Sequence, residues 1–371
     1  MTVTNQVRQR RLAAGLSQLS LAERAGVARQ AVHAIETGQY LPNTLVALRL
    51  AQALQCRVEA LFALPEPSTG LHAVVPEDER RTTALPQRVL VAQVGGRTLA
   101  YPMHGSAGTQ AAADGLAHAA GSSVSVDLLI DPRLVEQAVV VVGCDPALAL
   151  LGAHLSRRHS TVRLIWRHGS SLTALRSLAR GDAHAAGVHM QVPEHGISNL
   201  PYVAKELPGQ AVAIVGLCDW QQGLLLAPGN PKAIRHASDL ARRDVRIVNR
   251  EVGAGSRLLF DTWLARAGIV GNQLPGYDRE LPSHLAIGEA VAAGAGDAGP
   301  GILSVARALD LEFLALQEEP YDLVIPLAYF RSAPVQAMLD VAVSGPYRRE
   351  LAALGGYDTR RSGTIVAQLG A

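Results

Sequence analysis

Ser17-Gln18-Leu19-Ser20-Leu21-Ala22-Glu23-Arg24-Ala25-Gly26-Val27-Ala28-Arg29-Gln30-Ala31-Val32-His33-Ala34-Ile35-Glu36-Thr37-Gly38 reads as two short helices on either side of a tight turn. Ser17 is a good N-cap, its hydroxyl placed to accept from the first turn. Leu21, Ala22 and Ala25 share one helical face. Gly26 suits the turn because a positive φ costs glycine little. The second helix turns Val32 and Ile35 inward and Arg29, Gln30 and His33 outward. That pattern predicts a helix-turn-helix whose second helix can enter a DNA major groove.

Around this stretch the pattern stays helical. A first helix is expected over 4–14, a turn at Leu41-Pro42-Asn43-Thr44, a fourth helix over 45–54 and a closing one near 58–62. The spaced words Arg11-x3-Gly15-Leu16-Ser17-Gln18-x3-Ala22, Gly26-Val27-x-Arg29-Gln30, Ile35-Glu36-x-Gly38 and Pro42 resemble the XRE-type, lambda-repressor-like helix-turn-helix family over about residues 4–64. The resemblance implies binding to double-stranded operator DNA. Arg29 and Gln30 open the recognition helix, where Arg pairs with guanine and Gln with adenine. His33 lies one turn on, facing a base or a phosphate, and Gln18 is placed for the DNA backbone.

A chain of 371 residues suggests two or three domains, and 48% hydrophobic residues can fill their cores. Formal charge is +2, unevenly spread: residues 1–65 carry seven arginines against three glutamates, so the surplus lies in the head. A basic head on a near-neutral body fits nucleic-acid binding through the head alone. Cys56, Cys144 and Cys218 lie far apart with no C-x-x-C pair, as expected of reduced thiols in a cytoplasmic protein. The N-terminal stretch lacks a signal-peptide pattern, and the apolar run 138–151 is broken by Asp145 and Pro146. A cytoplasmic location with no membrane partner is the expectation.

The organisation expected is a head over 1–65, a linker over 66–85 marked by Pro65-Glu66-Pro67-Ser68-Thr69-Gly70, an intermediate segment over 86–137 and a large body over 138–371. The intermediate segment opens with a hairpin around Gly95-Gly96. A helix near 107–120 and a strand near 124–130 follow. From Ala138 strands and helices alternate, which argues a mostly parallel sheet. Three strand-to-helix junctions, Gly143–Asp145, Gly169–Ser171 and Gly253–Ser256, put small or hydroxyl residues where a helix begins. Such ends offer free N–H groups to anions.

Gly143-Cys144-Asp145-Pro146-Ala147-Leu148, Gly169-Ser170-Ser171-Leu172-x-Ala174-Leu175, Gly181-Asp182-Ala183-His184-Ala185-Ala186-Gly187-Val188-His189, Val248-Asn249-Arg250-x2-Gly253-x-Gly255-Ser256-Arg257 and Tyr321-Asp322-Leu323-Val324 resemble the periplasmic-binding-protein-like domain fused to regulators and to molybdopterin-biosynthesis proteins. The fold class this implies is multidomain: an all-α head followed by a two-lobed α/β body of the type II periplasmic-binding-protein kind. The resemblance implies a small anionic effector, with molybdate or a related oxyanion as its type. Ser170 or Ser171, Ser256 and Tyr321 would supply hydroxyls, with Cys144, His189, Gly255 and Arg257 beside them. Arg250 would pair with a ligand carboxylate. Cys144 and Asp145 depart from that pattern, and Asp145 would repel an anion unless it points away or caps its own helix.

No cofactor is expected. His184, His189 and His195 complete no known metal spacing, so no metal is expected either. No G-x-S-x-G or P-loop motif occurs, which disfavours catalysis. The expected function is a one-component transcription regulator, acting as a homodimer or higher homo-oligomer. The alternative is an enzyme or accessory protein of molybdopterin-type cofactor biosynthesis.

Overall fold

A computed structural model describes residues 4–63, 70–80, 86–118, 122–192, 196–197 and 199–370. The chain divides into two compact units, Met1–Leu71 and His72–Ala371. His195 and most of the Pro65–Gly70 stretch lie outside the described residues.

The first unit is built on α1 (Val7–Ala13), α2 (Gln18–Ala25), α3 (Arg29–Glu36) and α4 (Thr44–Ala53). Ser17 caps α2 by accepting from the Ser20 N–H at 3.0 Å. Gly26 sits at φ 61°, ψ 41°, and the Val27 N–H bonds the Ala22 carbonyl, closing the helix in a Schellman turn. Val7, Leu21, Val32, Ile35, Leu50 and Leu61 form the buried core. The motif residues Arg11, Gln18 and Glu36 turn out to be tied together. Arg11 holds Glu36 through Nε at 2.6 Å and Nη2 at 3.0 Å, and Gln18 Nε2 donates to the same carboxylate at 2.8 Å. Burial alone would raise the Glu36 pKa, but the bonds from Arg11 and Gln18 outweigh it and hold it below the usual range. The expected closing helix is a single 3-10 turn, Val58–Ala60, followed by a strand, Phe62–Ala63, paired with Thr4–Asn5.

The second unit begins with a closed five-stranded barrel of Leu71–Val74, Gln87–Val94, Arg97–Pro102, Gly115–His118 and Ser123–Leu128. Its first strand lies inside the stretch expected to be linker. The expected 107–120 helix shortens to Gly105–Gln110 and gives way to a strand. Small residues there fit both states, and barrel closure decides between them. The barrel is fixed to the body: the Tyr101 hydroxyl donates to the Asp182 carbonyl at 2.7 Å, and Arg163 pairs with Asp114.

The body has two lobes joined by two 15-residue strands, Val212–Leu226 and Glu312–Pro326, paired antiparallel along their length. The sequence pattern predicts two short strands in place of each, 211–217 and 223–227 for the first and 311–316 and 322–326 for the second. In sheet order the strands run Ala298–Ile302, Val212–Leu226, Glu312–Pro326, Ala185–Val188, Ala138–Gly143 and Arg163–His168. Among these six, parallel pairing is confined to the last three and the other neighbours pair antiparallel, so the expected mostly parallel sheet is corrected. The long strands run antiparallel because each passes from one lobe to the other. Register shifts at Gly216/Cys218 and Gln222/Gly223 flank the crossing, where bulges bend strands.

Candidate functional site

In the head, Arg29, Gln30 and His33 are exposed on the outer face of α3, whose Val32 and Ile35 are buried. Gln18 is half-buried and engaged with Glu36, so its sequence position reflects a structural bond as well as any contact it makes with DNA.

In the body, the crossing strands carry Trp220, Gln222, Glu319 and Tyr321 between the lobes. Cys144 follows the strand Ala138–Gly143, and His189 follows Ala185–Val188. Cys144 Sγ lies 3.3 Å from His189 Nε2, and His189 Nδ1 lies 3.1 Å from Glu319 Oε2. Ser171 locks the His189 backbone: its hydroxyl donates to the His189 carbonyl and accepts from the His189 N–H, each at 3.1 Å. Ser170 is the N-cap of the helix Ser171–Ala179. Burial would depress the His189 pKa, but Cys144 and Glu319 outweigh it and raise it to about 9.

The second lobe closes directly on this group. The helix Gly255–Arg266 begins against His189, and a Cβ on Gly255 would fall 2.3 Å from the His189 carbonyl oxygen. Only a glycine permits that approach. His284, first residue of the helix His284–Ala292, is 1% exposed and stands edge-on to Trp220 with centroids 5.4 Å apart.

Of the ten residues expected at the ligand, Cys144, Ser171, His189, Gly255 and Tyr321 are brought together here. Arg250 and Arg257 are instead engaged within the second lobe. Arg250 grips Glu251 through Nε at 2.8 Å and Nη2 at 2.9 Å, with Ser256 Oγ 3.5 Å from Nη1. Arg257 pairs with Asp261 and Glu280, and its guanidinium lies over the Tyr277 ring at 4.2 Å. Asp145 is turned onto the chain just before its own helix, accepting from the Ala147 N–H at 2.9 Å and the Tyr357 hydroxyl at 2.7 Å. Burial raises its pKa to about 6. His184 is a core histidine whose Nδ1 accepts from the Val140 N–H at 3.0 Å, apart from the cleft group.

Sequence reasoning missed Glu319, His284, Trp220 and Gln222. Each is a lone residue on a strand or helix end, more than 30 positions from Cys144, and carries no local signal.

A two-lobed domain with its chemistry at the strand crossings defines a ligand-binding module, here preceded in the chain by a DNA-binding helical fold. Residues 152–343 match the PBP superfamily domain, and residues 7–61 match a helix-turn-helix family. The chain belongs to the PBP superfamily domain family and carries that helix-turn-helix at its N-terminal end. It is 30% identical over 244 residues to the uncharacterized protein YvgK of Bacillus subtilis (strain 168), covering 64% of this chain and 78% of that one. It is 44% identical over 62 residues to the uncharacterized HTH-type transcriptional regulator YgzD of the same organism, covering 17% of this chain and 94% of that one. Among solved structures, a putative phosphate transporter substrate-binding protein from Clostridium perfringens is similar at 13% identity and a TM-score of 0.46, over 60% of this chain and 98% of that one.

Proposed function

We propose that the chain is a cytoplasmic one-component transcription regulator that binds operator DNA through α3 and senses a small anion between the two lobes of its body. The carrying observation is the union, in one chain, of a helix-turn-helix with exposed Arg29, Gln30 and His33 and a two-lobed PBP-type domain. Three unpaired cysteines fit a reducing compartment. The anion reading draws on the start of the helix Gly255–Arg266, which has no side-chain cap and has Ser256 and the Arg250 guanidinium beside it. An entering oxyanion would compete with Glu251 for that guanidinium. A homodimer would present two heads to a two-fold operator.

Native mass spectrometry of the full chain with molybdate, sulfate, phosphate and small carboxylates tests the ligand. Operator titration with and without the bound species tests the switch. The reading expects one anion per chain, a shifted operator affinity and a dimer by sedimentation. Turnover of the ligand, with operator affinity unmoved, would favour the biosynthetic alternative.

A further inference from the structure

Three side chains from three separate segments converge beneath the lobe contact. The Cys144 thiol, the His189 imidazole and the His284 imidazole each offer one ligand atom, and those atoms all lie within 4.8 Å of one another. All three residues are at most 2% exposed. We infer that they form a binding site for a thiophilic transition-metal ion, with Zn²⁺ as the reference ion, that joins the two lobes.

The spacing fits. A tetrahedral ion with usual Zn–S and Zn–N bonds sets its sulfur and nitrogen ligands about 3.5 Å apart. Cys144 Sγ and His189 Nε2 are 3.3 Å apart already.

The orientation fits as well. His189 turns Nδ1 to the Glu319 carboxylate at 3.1 Å, which leaves Nε2 facing Cys144. A carboxylate that holds the far nitrogen of a metal-bound imidazole is the usual supporting contact at such sites.

An independent observation comes from His284. Among the described residues neither of its ring nitrogens has a hydrogen-bond partner, although the side chain is 1% exposed. Buried polar atoms are rarely left so. One such nitrogen on a metal would remove the anomaly. Among the described residues Oε1 of Glu319, whose carboxylate holds the far nitrogen of His189, is also without a partner. A cation there would be held by a thiol and two imidazoles, a donor set that suits Zn²⁺ and its neighbours and not Mg²⁺ or Ca²⁺.

Cys144 and His189 belong to the first lobe and His284 to the second, so the ion would hold the cleft shut. The inference rests on the proposed sensing role of this cleft only for its regulatory consequence. The site itself stands on the three side chains.

The test uses the full chain, reduced, stripped with a chelator and titrated with Co²⁺ and then Zn²⁺. The expected result is one ion per chain, with a thiolate-to-cobalt charge-transfer band and tetrahedral visible bands that Zn²⁺ bleaches. Cys144→Ser and His284→Ala should each weaken binding at least tenfold while circular dichroism melts stay cooperative. Glu319→Gln should weaken it about 10–100-fold, as loss of a supporting contact does.

Absence of binding at micromolar free Zn²⁺ would overturn the site. So would a cobalt spectrum without a thiolate band, or a stoichiometry unchanged in the Cys144→Ser/His284→Ala double variant. Rapid alkylation of Cys144 that saturating Zn²⁺ does not slow would also overturn it and point to a thiol–imidazole–carboxylate nucleophile. Operator titration in the same preparations separates the two proposals. Metal binding with unmoved operator affinity keeps the site and removes only its regulatory role. Anion-responsive operator binding in a protein that takes no metal removes the site and keeps the regulator.

Discussion

Single residues divide here into those that hold the fold and those left free to act. His184 holds it. Its Nδ1 accepts from the Val140 N–H, and burial depresses its pKa to about 4. The unfolded chain takes up a proton near pH 6.5, whereas the folded one resists until about pH 4. The group's contribution is therefore whole above pH 6.5 and is lost as pH falls through that window, by about 3 kcal/mol in all. Denaturant unfolding from pH 7 to 4 should show the body losing stability over this range. In His184→Asn, whose side-chain oxygen can still accept from Val140, that slope should flatten. Arg29, by contrast, is exposed on α3 and has no resolved structural task. Arg29→Ala is expected to cost roughly 1–3 kcal/mol on the operator and to relax one base position, with random DNA bound nearly as before. Equal losses on both DNAs would assign Arg29 to phosphate.

At the scale of elements, the helix Gly255–Arg266 and the strand end at His189 meet at a contact only glycine allows. Gly255→Ala should force the lobes apart. Small-angle scattering of the full chain would then report a larger radius for the variant than for the wild type, with unchanged far-ultraviolet dichroism. An identical profile would mean that His189 yields instead. The same contact shows what the sequence could reveal. Ser17, Gly26 and the spacing of Leu21, Val32 and Ile35 determine the head through bonds within a few residues, so the head was legible. Gly253–Ser256 was legible as a helix start for the same reason. The barrel was not, because its strand Leu71–Val74 is ordered by pairing with Leu99, 25 positions away, inside a stretch whose flanks look like linker. Nor was the continuity of Val212–Leu226, since Asp219 and Gln221 interrupt its apolar run and only the partner strand carries it through. Cleft residues such as Glu319 and His284 have no local pattern, since tertiary folding alone brings them to His189. Arg250 was read as a ligand group from its residue type, but its neighbour Glu251 supplies the carboxylate.

For the whole molecule, the question is how an event between the lobes reaches DNA. The two units are continuous through one stretch of chain near residue 71, and Arg29, Gln30 and His33 lie in the first while the cleft lies in the second. An effector can act only if it binds the open and closed bodies with different affinity. In the proposed regulator, the crossing strands with their register shifts at Gly216/Cys218 and Gln222/Gly223 would supply the hinge such a change needs. Typical coupling of about 1–3 kcal/mol would move operator affinity some 5–150-fold. Replacing Arg250 is a poor probe, because it would strip Glu251 of its partner. Gly255→Ala combined with Ser256→Ala alters the lobe contact and the hydroxyl beside Arg250 and leaves the head untouched. Anisotropy titrations of a labelled operator should find this double variant held at a single operator affinity that effector no longer moves. By linkage, operator DNA should change the wild type's effector affinity by the same factor that the effector changes its operator affinity. A double variant that still responds in full would place the effector site away from the start of that helix, and unequal factors in the wild type would mean that a third species takes part in the equilibrium.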